Sequence, residues 1–275
     1  MRRLGMVVVV AAALASGCGG SDDDSVEAPS SVDVVVIGDS LINPSGVCPG
    51  CKGFVKQYAS DLEAGVGVPV THHTVPAGNV PDAQQIVAED EAARSLIAEA
   101  EVVVLRVGGN NALPDPDTGI GCAGSLGGGY VSWLRTTEQG CLVEGVATYG
   151  QLYDEILADI KELRGEQPTV FILTNSINGN IDPSDSQGLL SVVTESDLDE
   201  VRSWTVAAYD RWNDMLADRA EAAGFVYVDL YHEFNGADGS RPSGELSIDG
   251  AHPSQLGNDL IASKLAEVEL SVLGL

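Results

Sequence analysis

Residues Val34 to Leu41 read Val-Val-Val-Ile-Gly-Asp-Ser-Leu, an apolar, β-branched run that stops at a glycine. Side chains alternate across a strand, so a run without polar interruption buries both faces, as the inner strands of a parallel sheet do. Parallel neighbours need crossovers long enough to hold a helix, and the chain supplies them. Strand-like runs recur at residues 32–37, 67–74, 102–107, 169–174 and 225–230. Helix-like stretches separate or follow them at about 53–64, 81–98, 149–163, 195–223 and 255–273. The alternation predicts an α/β fold, a parallel sheet of about five strands with helices on both faces. Residues 32–275 make one domain, with no repeat or second linker inside it.

Open α/β sheets bind ligands outside the carboxyl ends of their strands, so the residues just past each apolar run are informative. The first run delivers Asp39 and Ser40, placing a serine hydroxyl where a nucleophile would be useful. Gly-Asp-Ser is also an ordinary turn composition. Near the other end, Asp249-Gly-Ala-His252-Pro-Ser254 precedes the terminal helix. A serine needs a base to take its proton, and an imidazole base needs a carboxylate to hold its tautomer. Asp249 and His252, three residues apart on one short loop, can supply both, while Ser254 caps the helix. The alternative is a turn at Asp249-Gly250 beside a surface histidine. The third run, ending at Val107, breaks into Gly108-Gly109-Asn110-Asn111. An Asn side chain there can donate to a developing oxyanion. A phosphate cradle is disfavoured, because neither Gly-Lys-Ser/Thr nor Gly-x-Gly-x-x-Gly is present. Gly78, in Val75-Pro-Ala-Gly-Asn79, is a further turn glycine before a helix.

Gly38-Asp39-Ser40-Leu41, Gly78, Gly108-x-Asn110 and Asp249-x-x-His252, in this order and spacing, resemble the SGNH hydrolases, also called GDSL esterases and lipases. The resemblance spans the chain after its leader and implies a flavodoxin-like three-layer α/β/α sandwich. It implies that Ser40 is the nucleophile, His252 the general base and acid, and Asp249 its orienting carboxylate. The oxyanion hole would be the backbone N–H groups of Ser40 and Gly78 with the Asn110 amide. One position departs: the family usually has Asp where this chain has Asn111, which bears on the support of that loop.

Met1-Arg-Arg, an apolar stretch from Met6 to Ala15 and Ser-Gly-Cys18 look like a bacterial lipoprotein signal, with Ala15 where Leu is more usual. That resemblance implies a signal over residues 1–17 and lipidation of Cys18; plain secretion is the alternative. Residues 18–31, rich in Gly, Ser, Pro and Asp, read as a flexible tether. The expected location is the outer face of the cell membrane, held only by lipid. Of five cysteines, four remain if Cys18 is lipidated, and three pairings are possible. Cys48–Cys51 and Cys122–Cys141 are favoured, the second closing an insertion at residues 115–147. Tyr130, Trp133 and Leu134 in that insertion would face the substrate at the cleft rim, or simply pack the loop down.

Lys and Arg number 14 against 41 Asp and Glu, a formal net charge of −27. Such a surface excludes nucleic acid as a natural partner, since polyanions need clustered cations. The adjacent pair His72-His73 points to opposite faces of a strand, so no metal and no cofactor are expected. His232, in Asp229-Leu-Tyr-His232-Glu-Phe234, is a rival base ranked below His252; Leu230 and Phe234 read as core. The expected activity is a serine esterase acting on short-acyl or lipid esters outside the cell, with short acyl groups favoured. A polysaccharide O-deacetylase or acyltransferase using the same residues, and a lipoprotein that binds glycan or lipid without turnover, are the alternatives. The oligomeric state is left open.

Overall fold

In a computed structural model, residues 28–43, 47–112, 139–179, 181 and 198–275 are described. The expected signal, most of the expected tether, Cys18, Cys122 and the expected rim residues Tyr130, Trp133 and Leu134 lie outside them. So does the side chain of Cys141.

Five strands form the sheet: β1 Val32–Gly38, β2 Val70–Pro76, β3 Val102–Arg106, β4 Val170–Thr174 and β5 Val226–Val228. Their order is β2-β1-β3-β4-β5 and every pairing is parallel. The α-helices are α1 Phe54–Val66, α2 Val80–Glu89, α3 Glu91–Glu99, α4 Gln139–Arg164, α5 Leu198–Ala223, the short α6 Tyr231–Asn235 and α7 Gln255–Ala266. The parallel three-layer sandwich expected from the sequence is the fold observed.

Alternation along the inner strands feeds two cores. Val35, Ile37, Val103, Leu105 and Leu173 pack beneath α2, α3, α4 and α5, around the fully buried Trp212. Val34, Val36, Val102, Val104 and Ile172 face the other way, onto α1 and α7. Each such Val, Leu or Ile contributes roughly 1.5–3 kcal/mol relative to exposure, so the first apolar run is fixed inside the sheet, between β2 and β3. At the sheet margin, β2 exposes Thr71, His72 and Thr74.

Several boundaries differ from the sequence expectation for local reasons. The helix expected over 81–98 is two helices, because the Asp90 side chain accepts from the Ala93 N–H and starts a new one. The terminal helix stops at Ala266, and a 3-10 turn follows at Ser271–Leu273. α4 starts at Gln139, ahead of the expected residue 149, so the last part of the expected 115–147 insertion is helix. Cys48 and Cys51 have Cα atoms 5.4 Å apart, within reach of a disulfide. Among the described residues no helix is long and apolar enough to cross a membrane.

The chain leaves β1 toward β2 on one side and returns through β3 on the other. In the order 2-1-3-4-5 the crevice between the carboxyl ends of β1 and β3 is the switch point where ligands bind. Ser40 follows β1 and Asn110 follows β3.

Candidate active site

Asp39 turns the chain out of β1. Its side chain accepts from the Leu41 N–H at 3.1 Å and caps a 3-10 turn, Ser40–Ile42. Asp39 is buried while Ser40, one residue on, is exposed.

The imidazole arrives from a closed loop. Ser247 and Pro253 form an antiparallel bridge, with Ile248 N–H donating to the His252 carbonyl at 2.9 Å and Ser254 N–H to the Leu246 carbonyl at 3.0 Å. Gly250, with φ +85°, makes the reversal that brings Asp249 back under His252. Asp249 Oδ1 accepts from the Ala251 and His252 N–H groups at 3.1 and 2.8 Å, and Oδ2 lies 2.8 Å from His252 Nδ1. Ser254 caps α7 as expected, accepting from the Gly257 N–H. In α7, buried Asn258 donates to the Pro253 and Ser254 carbonyls and accepts from the Phe54 N–H. The loop is thereby fastened to both helices on that face of the sheet.

These two pieces, 212 residues apart in the chain, meet: Ser40 Oγ lies 3.1 Å from His252 Nε2. The contacts run from hydroxyl to imidazole to carboxylate. With Asp249 accepting at Nδ1, the proton of the neutral ring sits there and Nε2 is left as an acceptor toward Ser40. Burial raises the Asp249 pKa, but the donors from His252 and Ala251 outweigh it and hold the carboxyl below its ordinary value. The carboxylate is therefore charged wherever it must orient the ring.

Gly108 has φ +100°, and a side chain there would strike Trp212 at 2.6 Å. Glycine therefore lets the chain turn tightly out of β3 and present Asn110. The Asn110 amide donates to the Gly78 carbonyl at 2.9 Å, tying the loop after β3 to the loop after β2. A primary amide has two N–H groups, so among the described residues one is left to serve another acceptor. Gly78, Asn110 and Ser40 are all exposed at the same sheet edge. Asn111 has a structural reason to depart from the family pattern. It is buried, accepts from the Val80 N–H at 2.9 Å and donates to the Tyr149 hydroxyl at 3.2 Å. An ionised Asp could accept the first bond but not donate the second.

The sequence signature of the GDSL-like lipase and acylhydrolase family matches residues 36–260, from within β1 into α7. The chain belongs to the GDSL-like lipase/acylhydrolase family. Solved structures share the fold of this GDSL-like hydrolase. A lipase from a goat rumen metagenome superposes with a TM-score of 0.63 at 19% identity, over 85% of this chain and 95% of its own. A catalytic mutant of an acetylxylan esterase from Geobacillus stearothermophilus does so at 0.53 and 16%, over 87% and 95%. No curated protein matches the chain. With this family and fold, the protein is an ester-hydrolysing enzyme.

The hydrolase holds a second carboxylate–imidazole pair, at the histidine that the sequence places second. Asp229 stands three residues before His232, as Asp249 does before His252. Its Oδ1 accepts from the His232 N–H at 3.1 Å and its Oδ2 lies 2.5 Å from His232 Nδ1. The Asn175 amide also donates to Asp229, at 2.7 Å. The pair sits after β5 and lines a cavity of about 360 Å³ with Tyr231, Asp210 and Asp238. Spacing alone cannot separate the two dyads; the contact with Ser40 belongs to His252. Leu230 and Phe234 are core, as expected. Among the described residues no group of three or more His, Cys, Asp or Glu is arranged to hold a metal ion.

Proposed function

We propose that this GDSL-like hydrolase is an exported serine esterase that cleaves short-acyl carboxylic esters through an acyl-enzyme on Ser40. The carrying observation is the unbroken path from Ser40 Oγ through His252 to Asp249. In this reading Ser40 attacks the ester carbonyl as His252 Nε2 takes its proton. His252 returns the proton to the leaving alcohol, and water attacks the acyl group with the imidazole again as base. The Ser40 and Gly78 N–H groups and the second Asn110 N–H stabilise the tetrahedral oxyanion. Asn110→Ala is expected to lower kcat on p-nitrophenyl acetate about 10²–10³-fold, the cost of one oxyanion donor. An unchanged kcat would remove Asn110 from the hole.

Short acyl groups are favoured because the described loops at the carboxyl edge beside Ser40 present small and polar residues, Gly78, Gly109 and Asn110, and no long apolar helix. Export rests on the signal-like leader ending at Cys18, to be lipidated, and on Cys48 and Cys51, spaced for a disulfide of the kind oxidising compartments permit. Acetylated polysaccharide is the second substrate reading, favoured by the acetylxylan esterase among the structural neighbours. A panel of p-nitrophenyl acetate, butyrate, octanoate and palmitate beside acetylated xylan tests both. The expected result is kcat/KM highest for acetate or butyrate and at least about tenfold lower for octanoate, the scale that pocket fit sets. A maximum at octanoate or palmitate would overturn the short-acyl reading, and acetate release from xylan would select the glycan one.

A further inference from the structure

β3 is apolar and fully buried from Val102 to Leu105, and then ends on Arg106, which is buried as well. A buried guanidinium needs a counter-charge. Arg106 finds it 67 residues away in Asp39, the residue before Ser40, with Nη1 3.2 Å from Oδ1 and both side chains at most 4% exposed. The backbones are joined too, since the Asp39 N–H donates to the Arg106 carbonyl at 3.3 Å. They lie so close that a side chain at Gly38 would meet that carbonyl at 2.6 Å. Arg106 Nε makes no hydrogen bond among the described residues. Well-packed apolar residues usually serve stability at least as well as a buried ion pair.

The position of the carboxylate gives the pair its meaning. Oδ1 holds the Leu41 N–H, fixing the turn that presents Ser40, and Oδ2 lies toward Gly109, at 3.6 Å from where a side chain there would begin. The carboxylate thus sits beneath the Ser40 turn and the Gly109–Asn110 loop, two of the three loops assigned oxyanion donors. Unopposed, it would repel the charge that develops in the transition state. We propose that Arg106 is a positioning residue for the nucleophile turn: it neutralises Asp39, so that the carboxylate can fix the turn without opposing the oxyanion. The proposal rests on Ser40 being the nucleophile. Because the oxyanion exists only in the transition state, the cost of losing Arg106 falls on kcat and spares KM.

The test uses Arg106→Met, Arg106→Lys, Asp39→Asn and the double variant Asp39→Asn/Arg106→Met, each assayed with p-nitrophenyl acetate and checked for folding by circular dichroism. Arg106→Met is expected to lose about 100-fold in kcat with KM within about threefold, the scale of a disturbed oxyanion site. Arg106→Lys, which keeps the charge, recovers most of that loss. The double variant, with no charge to neutralise, exceeds Arg106→Met at least about tenfold. Should Arg106→Met not fold, the double variant decides by comparison with Asp39→Asn. Near-equal kcat in those two supports the proposal, and a further loss of tenfold or more overturns it. A folded Arg106→Met with wild-type kcat, or a double variant no faster than the single, overturns it as well. Fluorophosphonate labelling of wild-type Ser40 keeps the underlying assignment separate: unlabelled wild type defeats the nucleophile reading, whatever the Arg106 variants do.

Discussion

Ser40→Ala is expected to lower kcat on p-nitrophenyl acetate by about 10⁵-fold or more while leaving the fold intact, the loss seen when a triad nucleophile is removed. Ser40 is exposed, and the side-chain contact of its Oγ is with His252 Nε2, so the substitution touches neither core. The stability change expected for a surface site of this kind is within about 0.5 kcal/mol. The thermal midpoint should therefore stay with the wild type as the rate collapses. A fluorophosphonate, which forms a bond to an activated serine, should label the wild type and not the variant. Residual turnover above about 1% of wild type would mean that another group performs the attack, because a missing nucleophile leaves only the binding and oxyanion contributions. A folded wild type that is never labelled would point to a binding protein on a hydrolase scaffold.

The sequence made the parallel sheet and the Ser40–His252–Asp249 constellation legible because both are written in short local patterns. An apolar run ending in Gly38 defines a buried strand and its exit, and Asp249-x-x-His252 before a capped helix defines a loop that folds on itself. Other features depend on which residues meet in three dimensions. Arg106, ending an apolar run, reads locally as an exit to solvent, and nothing near it names Asp39 as its partner. Asp229-x-x-His232 has the same local pattern as Asp249-x-x-His252 and forms the same hydrogen bonds. Among the described residues, the contact with Ser40 is what separates the His252 dyad from the His232 dyad. The break at Asp90 is written locally, as an Asp three residues before Ala93, but the apolar periodicity runs through it and hides it. Asn111 is the reverse case: the departure from the family residue is visible in the sequence, but its partner Tyr149, 38 residues further on, is not.

The duplicated dyad supplies its own control for the second large effect. Asp249→Asn is expected to lower kcat by about 10³–10⁴-fold, whereas Asp229→Asn leaves it within about threefold. In Asp249→Asn the amide oxygen still accepts from the Ala251 and His252 N–H groups, so the loop keeps its shape. The amide NH₂ then faces Nδ1 and donates to it, which drives the ring proton to Nε2. The imidazole meets Ser40 as a donor and can no longer take its proton. The same tautomer switch occurs at His232 in Asp229→Asn, where no serine hydroxyl contacts the ring among the described residues. The direction of the Asp249 shift sets the pH dependence. Because its pKa is depressed in the fold, its contribution to stability is present above the unfolded value of about 3.9 and lost as the pH falls through the folded value. Asp249 thus stays charged through neutral and mildly acidic conditions, so any acid limb of kcat/KM near neutrality belongs to a different group. Steady-state kinetics of both variants from acid to neutral pH check this. Equal losses in Asp249→Asn and Asp229→Asn would detach the rate from the dyad that touches Ser40.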